Sequence, residues 1–151
     1  MAIQSAAGAS IGISAAAPAT YDATGYAALT YTNIAEVTNL GGFGREYTVI
    51  THNPIDTRAT KKLKGSYNEG QITLTVGLDT ADAGQALCAT ASVSDADYSF
   101  RVEMQNGAIY YFPAKVASFK RQVGSVDDIV SAEINLEITS STGGVGVVED
   151  I

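Results

Sequence analysis

The feature that most constrains this chain is its longest strict alternation, residues 129–139. There Val130, Ala132, Ile134, Leu136 and Ile138 interleave with Ser131, Glu133, Asn135, Glu137 and Thr139. Successive side chains of a β-strand point to opposite faces, so a period of two predicts a strand with one face in a core and the other in water. A single strand cannot bury that face alone, and partner strands are required.

Two further runs repeat the pattern. Ile72, Leu74, Val76 and Leu78 alternate with Gln71, Thr73, Thr75 and Gly77, and Tyr98, Phe100, Val102 and Met104 alternate with Ser99, Arg101, Glu103 and Gln105. The second run meets Asn106-Gly107, which predicts a hairpin with a type I′ turn. The returning strand spans 108–121, and Pro113, which has no N–H to give a ladder, marks an edge or a bulge there. Earlier runs at 34–40 and 45–52 complete six predicted strands, and apolar side chains on both faces of 45–52 predict cover on both sides. One helix is expected over roughly 81–91, capped by Thr80, with Ala83, Leu87 and Ala91 on one face and Gly84 weakening it. The expected fold is mainly β, an antiparallel β-sandwich or curved sheet with one short α-helix.

The flanks lack this regularity. Residues 1–25 are mostly Ala, Gly, Ser, Ile and Thr and show neither alternation nor a capped helical stripe, so they read as an arm that orders on a neighbouring subunit. Residues 26–142 read as a single β domain, and 143–151 as a flexible tail. The stretch 53–70 is long for a loop and holds four of the nine basic residues, Arg58, Lys61, Lys62 and Lys64, which marks it as a candidate subunit interface.

The net charge of -7 is the wrong sign for gripping a phosphate backbone. The single Cys88 has no partner for an internal disulfide, and no Cys/His spacing suggests a zinc site. The first residues lack a basic region before an apolar core, so no secretory leader is expected. No window has the roughly 18 consecutive apolar residues of a membrane helix.

Catalytic chemistry finds no foothold. His52 is the only histidine and has no nucleophile in a recognisable arrangement. Asp95 with Asp97, and Asp127 with Asp128, lie in turn contexts that favour Asp for its side-chain hydrogen bonds. The run Gly41-Gly42-Phe43-Gly44 precedes a strand and has no GK[ST] after it, so it reads as a turn and not a phosphate cradle. No enzyme, cofactor or metal is expected.

The order of features carries a resemblance. A small-residue arm is followed by Ile34-Ala35-Glu36-Val37-Thr38-Asn39-Leu40-Gly41-Gly42 and a strand ending in Thr51-His52-Asn53-Pro54. Then come a basic loop closing on Lys64-Gly65-Ser66, the strand 69–75, a short helix, an Asn-Gly hairpin and a final alternating strand. Over most of residues 30–140 this resembles the major tail tube proteins of long-tailed bacteriophages. The resemblance implies a structural virion subunit whose copies form hexameric rings, with sheets joining between subunits into a ring-shaped β-barrel. The rings stack into a hollow tube through which genome DNA passes, without specific binding, during ejection. The implied partners are the chain itself and other tail proteins such as a tape measure and a tail terminator, and the implied place is the tail of a virion assembled in a bacterial cytoplasm. Under it, Glu103, Ser131, Glu133, Asn135 and Glu137 are expected to face the lumen. The alternatives are a tail terminator, a decoration protein or the inner tube of a contractile system. A carbohydrate- or receptor-binding β-sandwich is a further alternative, for which Tyr110 and Tyr111 are the exposed aromatics to test.

Overall fold

A computed structural model describes residues 3–151. Ten strands and two helices follow the order β1 (Ser10–Ser14), α1 (Ala23–Ala27), β2 (Thr32–Asn33), β3 (Val37–Asn39), β4 (Glu46–His52), β5 (Lys61–Asn68), β6 (Gln71–Gly77), α2 (Ala83–Ser92), β7 (Tyr98–Glu103), β8 (Ile109–Gln122), β9 (Ser131–Ile138) and β10 (Val148–Asp150). Eight strands form one antiparallel sheet in the order β2-β1-β7-β8-β9-β6-β3, with β10 also paired to β8, and β4 and β5 form a separate two-stranded sheet. The large sheet curls into a half-barrel, so of the two expected β architectures the curved sheet is the one formed.

The alternating runs become the centre of this sheet. Ile72 stands opposite Leu136, Leu74 opposite Ile134 and Val76 opposite Ala132 in the β6–β9 register. Their side chains are all 1 % exposed or less and line the inside of the curl with Phe100, Phe112 and Val116. Each such burial contributes roughly 1.5–3 kcal/mol for the larger side chains. The strand is shorter than its alternation, however, because Val130 lies outside the ladder and is 37 % exposed.

Pro113 sits inside β8 where the strand changes partners. On one edge β8 pairs with β10 up to Tyr111 and with β9 from Ala114 onward. The Pro113 carbonyl accepts from the Thr139 N–H at 3.0 Å, so its nitrogen faces the same junction, where the ladder gives up little by lacking a donor. The expected bulge lies further on, between Val116 and Ser118.

Several expectations are corrected. The stretch read as an arm contains β1, which pairs along its whole length with β7 and places Ile11 and Ile13, both 0 % exposed, in the core. Its alternation is only five residues long and is flanked by small residues, too short to stand out. The same stretch begins α1, whose N-cap Asp22 accepts from the Gly25 N–H at 2.7 Å, so the described residues hold two helices, not one. In place of a free tail, Val148–Asp150 pairs with β8. The run 34–40 is reduced to Val37–Asn39 because Glu36 adopts φ 61, a left-handed conformation that ends any ladder through it. The Asn106-Gly107 hairpin forms, but only Gly107 has positive φ; its N–H donates to the Met104 carbonyl and the Met104 N–H to the Ala108 carbonyl. That pattern is a type I turn followed by a left-handed glycine, not type I′.

Helix α2 lies across the open side of the curl. Its N-cap is Asp82, not Thr80, with Oδ2 accepting from the Gln85 N–H at 2.9 Å. The buried face is Gly84, Gln85, Cys88 and Ala91, so the helix is turned by about one residue from the expected stripe. Gly84 is the contact that sets the spacing, since a Cβ there would stand 2.8 Å from the Ile34 Cα. Gln85 joins the layers: Nε2 donates to the carbonyls of Ala35 and Gly77 at 3.0 and 2.9 Å, and Oε1 accepts from the Asp79 N–H at 3.0 Å.

Candidate functional site

Three surfaces stand out, and each is built by a different part of the chain. The first is the β4–β5 hairpin. Residues 61–68, expected as part of a loop, form β5 against β4, so Lys61, Lys62 and Lys64 lie on a strand and only Arg58 lies in the connecting turn. Arg58 adopts φ 59 there. The expectation that β4 is covered on both faces is also corrected: within the chain both strands are exposed on both faces, including Val49, Ile50 and Leu63. An isolated two-stranded sheet is marginal in water, so this one depends on its base and on whatever covers it.

The base is firmly tied. Glu69, 5 % exposed, accepts from Arg45 Nε at 3.0 Å and Nη2 at 2.7 Å. The Arg45 guanidinium lies 3.9 Å above the Tyr67 ring, and Nη1 donates to the Tyr47 hydroxyl at 3.3 Å. Those two hydrogen-bond partners, Tyr47 first and then Glu69, hold the guanidinium still more firmly protonated than usual. The Tyr67 hydroxyl donates to the Gly144 carbonyl at 3.1 Å, which fixes the hairpin to the segment before β10. A groove of ≈ 600 Å³ opens beside this base between Phe43, Arg45, Glu69, Tyr110 and Glu149.

The second surface is the outer face of the sheet, opposite the core. Ser131, Glu133, Asn135 and Glu137 do share that face of β9. Glu133 and Glu137 are exposed, while Ser131 and Asn135 are half-buried. What the alternation of one strand does not reveal is the neighbour: Glu137 stands directly opposite Lys115, and Glu133 opposite Lys120. The face is therefore a ladder of mixed charge and not a purely acidic wall. Lys115 also donates to the Asp97 carboxylate at 2.7 Å and to the Asp95 backbone carbonyl at 2.6 Å, so of that aspartate pair Asp97 forms an ion pair. Glu103 lies apart from this row. It faces Ile109 across the β7–β8 pair, with Asp150 on the other side of Ile109, so two carboxylates flank one isoleucine. Between the groups, the outer face is closed by α1: Tyr26 stacks on Tyr111 at 5.4 Å and 8°. Tyr111 is only 3 % exposed and Tyr110 packs edge-on against Phe43, so neither forms an open aromatic platform for a sugar.

The third surface is the β8–β9 loop, 123–130, which no sequence motif marked as functional. The Asp128 carboxylate accepts from the Ser125 N–H at 2.9 Å and Oγ at 3.0 Å, and these two bonds hold its pKa below the usual range. The Asp128 N–H returns to the Ser125 carbonyl at 3.1 Å, so the loop is a closed turn with Val126 and Asp127 at its apex.

Among the described residues, no group of three or more His, Cys, Asp or Glu side chains is placed to hold a metal ion. His52 ends β4 on the exposed hairpin. No helix among the described residues is long and apolar enough to cross a membrane.

No family model matches the chain, and no curated protein matches it. Solved structures do. A chain in the structure of an extracellular contractile injection system, the PVC sheath/tube terminator in its extended state, superposes with a TM-score of 0.71 at 12 % identity, covering 100 % of this chain and 99 % of that one. A chain of the anti-feeding prophage baseplate, sixfold symmetrised, matches with a TM-score of 0.65 at 10 % identity over 93 % and 95 % of the two chains. A chain from the tail of an empty GTA particle, refined with helical C6 symmetry, matches with a TM-score of 0.59 at 18 % identity over 74 % and 83 %. At these identities the likeness establishes a shared fold, the fold of parts of phage-tail-like particles.

Proposed function

We propose that this chain is a structural subunit of a phage-tail-like particle, joining copies of itself into a ring around the axis of a hollow tube. The observation that carries the reading is the β4–β5 hairpin, a sheet anchored by Arg45 and Glu69 yet uncovered on both faces, which a free monomer has no use for. The shared fold with chains of sixfold and helical tail assemblies supports it. In the ring, neighbouring sheets join at their edges into a ring-shaped β-barrel with the outer face of each, opposite its own core, turned to the axis; Arg58, Lys61, Lys62 and Lys64 lie at a contact between subunits, and Ser131, Glu133, Asn135 and Glu137, with Glu103, face the lumen. The net charge of -7 keeps passing DNA from adhering. The function is structural and not enzymatic, and the chain resides in the tail.

Two positions in a tube suit such a ring. The end-to-end match to a chain of a sheath/tube terminator structure favours a terminal ring that closes the tube. A repeating ring, the major tube subunit, is favoured by the presence of uncovered surfaces at both ends of the subunit, the hairpin at one and the 123–130 loop at the other. Negative-stain electron microscopy of the purified protein tests the reading. Discrete rings support the terminal position and extended tubes the repeating one, whereas a monomer that stays monomeric at high concentration sinks both.

A further inference from the structure

The two uncovered ends complement each other. Three of the most exposed large apolar side chains sit in the short β8–β9 loop: Val123 at 68 %, Val126 at 98 % and Ile129 at 83 %. The hairpin offers a second set, with Ile55 at 99 % in its turn and Leu63 at 64 % beside Ile50 at 50 % on one face of its strands. Exposed apolar residues that gather this way mark contact surfaces. Their charges are opposite. The hairpin carries Arg58, Lys61, Lys62 and Lys64 against Glu46 and Asp56, while the far end carries Asp79, Asp82, Asp127 and Asp128 against Lys120 and Arg121. Arg121 is already engaged over the Phe119 ring, at 4.8 Å.

One chain cannot bring these surfaces together. The hairpin leaves the sheet where β6 begins, and the loop lies where β6 ends, since the Leu78 N–H donates to the Val130 carbonyl at 2.9 Å. Six strand rises of about 3.3 Å separate those points by roughly 20 Å. A contact between unlike surfaces of identical copies is head-to-tail, and repeated it builds a stack. We infer that the β8–β9 loop of one copy is the receptor for the β4–β5 hairpin of the copy in the adjoining ring, with Val126 and Ile129 packed against the hairpin's apolar residues and Asp127 facing its basic ones. The Ser125–Asp128 turn presents Val126 and Asp127 in one fixed arrangement, which lowers the ordering cost of docking. This rests on the ring-forming reading and deepens it: a chain that both offers and receives repeats along the axis.

Charge reversal at each end tests the assignment. Arg58→Glu with Lys61→Glu, and separately Asp79→Lys with Asp127→Lys, are exposed substitutions, and circular dichroism checks that each variant folds. Each pair alone is expected to raise the concentration needed for stacking roughly tenfold or more, because like charges then meet across every contact. All four substitutions in one chain restore stacking, since each contact again joins opposite charges. Mixing the two partial variants also restores stacking, since both contacts between unlike copies join opposite charges and the two variants can alternate along the axis. Sedimentation velocity and electron microscopy read all three. The inference is overturned if the four-substitution chain stays unstacked while the unmodified chain stacks, or if Asp79→Lys with Asp127→Lys stacks like the unmodified chain. Rings that never stack, with or without substitutions, also overturn it and leave a terminal ring; absence of any assembly by the unmodified chain overturns the ring reading itself.

Discussion

The carboxylate of Glu69 is buried beneath the guanidinium of Arg45, which donates to its Oε1 through both Nε and Nη2. This pair sits where two sheets meet, since Arg45 precedes β4 and Glu69 separates β5 from β6. It sets the direction in which an otherwise free hairpin leaves the molecule. Arg45→Met keeps the aliphatic stem against Tyr67 but strands a buried carboxylate. The expected outcome is faster hydrogen exchange throughout β4 and β5 with the β6–β9 ladder unchanged; protection equal to the unmodified chain in both sheets would show that the pair does not orient the hairpin.

A second consequence concerns Gln85, 2 % exposed, whose amide satisfies three backbone groups from two layers. Each buried polar group left without a partner costs about 1–3 kcal/mol. Gln85→Ala is therefore expected to lower unfolding free energy by on the order of 3 kcal/mol or more in urea. A loss under about 1 kcal/mol would mean that water replaces the amide.

Gly84 decides between two opposing effects. Replacing a mid-helix glycine by alanine favours the helix by up to about 1 kcal/mol. Here the new Cβ would stand 2.8 Å from the Ile34 Cα and closer still to the Asn33 carbonyl, which are backbone atoms that cannot turn aside. Gly84→Ala is expected to destabilise, with a lower thermal midpoint; a higher one would show that α2 shifts freely over β2.

The same positions show what the sequence makes legible. Ile72 through Val76 and Ala132 through Ile138 alternate over enough residues to reveal strand, core face and partner class together. The curl of the sheet, β1 and the hairpin do not appear in that way. β1 alternates over only five residues, and β5 reads as loop because Lys61, Lys62 and Lys64 crowd a strand that has no core face to mark it. The lumen-side residues proposed on β9 are identifiable from period alone, yet their pairing with Lys115 and Lys120 depends on the bulge between Val116 and Ser118, which a one-residue change in register would undo. The β8–β9 loop carries no such mark, because Val123, Val126 and Ile129 follow neither period and stand isolated in a polar turn.

Alkaline pH provides a separate test of the core. Cys88, fully buried on the inner face of α2, has its thiol pushed up to about 12, first by burial and second by Asp82. The folded chain keeps this proton while the unfolded chain releases it near the ordinary thiol value of 9.0. Stability is thus unaffected below about pH 9 and falls as pH rises from there toward 12. Burial raises Tyr26, Tyr31 and Tyr111 as well, so a further fall begins above their ordinary value of 10.0. Cys88→Ala is expected to delay the onset from about pH 9 to about 10, read by urea midpoints across the range. An unchanged onset would assign the whole alkaline loss to the tyrosines.

The last prediction addresses the outer face of β9. Glu137 and Glu133 stand opposite Lys115 and Lys120, so changing both glutamates to lysine sets like charges across two strand pairs. Each such pair costs roughly 0.2–1 kcal/mol, which is tolerable because the core side of β9 is untouched. Glu133→Gln with Glu137→Gln removes the acid without creating that repulsion and separates the two effects. If this face lines a tube lumen, both variants assemble, and DNA passage slows in the order unmodified, glutamine, lysine, as the wall changes from mixed to basic and begins to hold phosphates. The experiment is complementation of a tail-deficient phage or tail-like particle that accepts this chain, measuring tail assembly by microscopy and genome release by the rate of DNA exit. Intact tails with graded release support the lumen assignment. Equal release rates for all three chains, or a density map that sets Glu133 and Glu137 on the outside of the ring, would move the lumen to another face of the half-barrel.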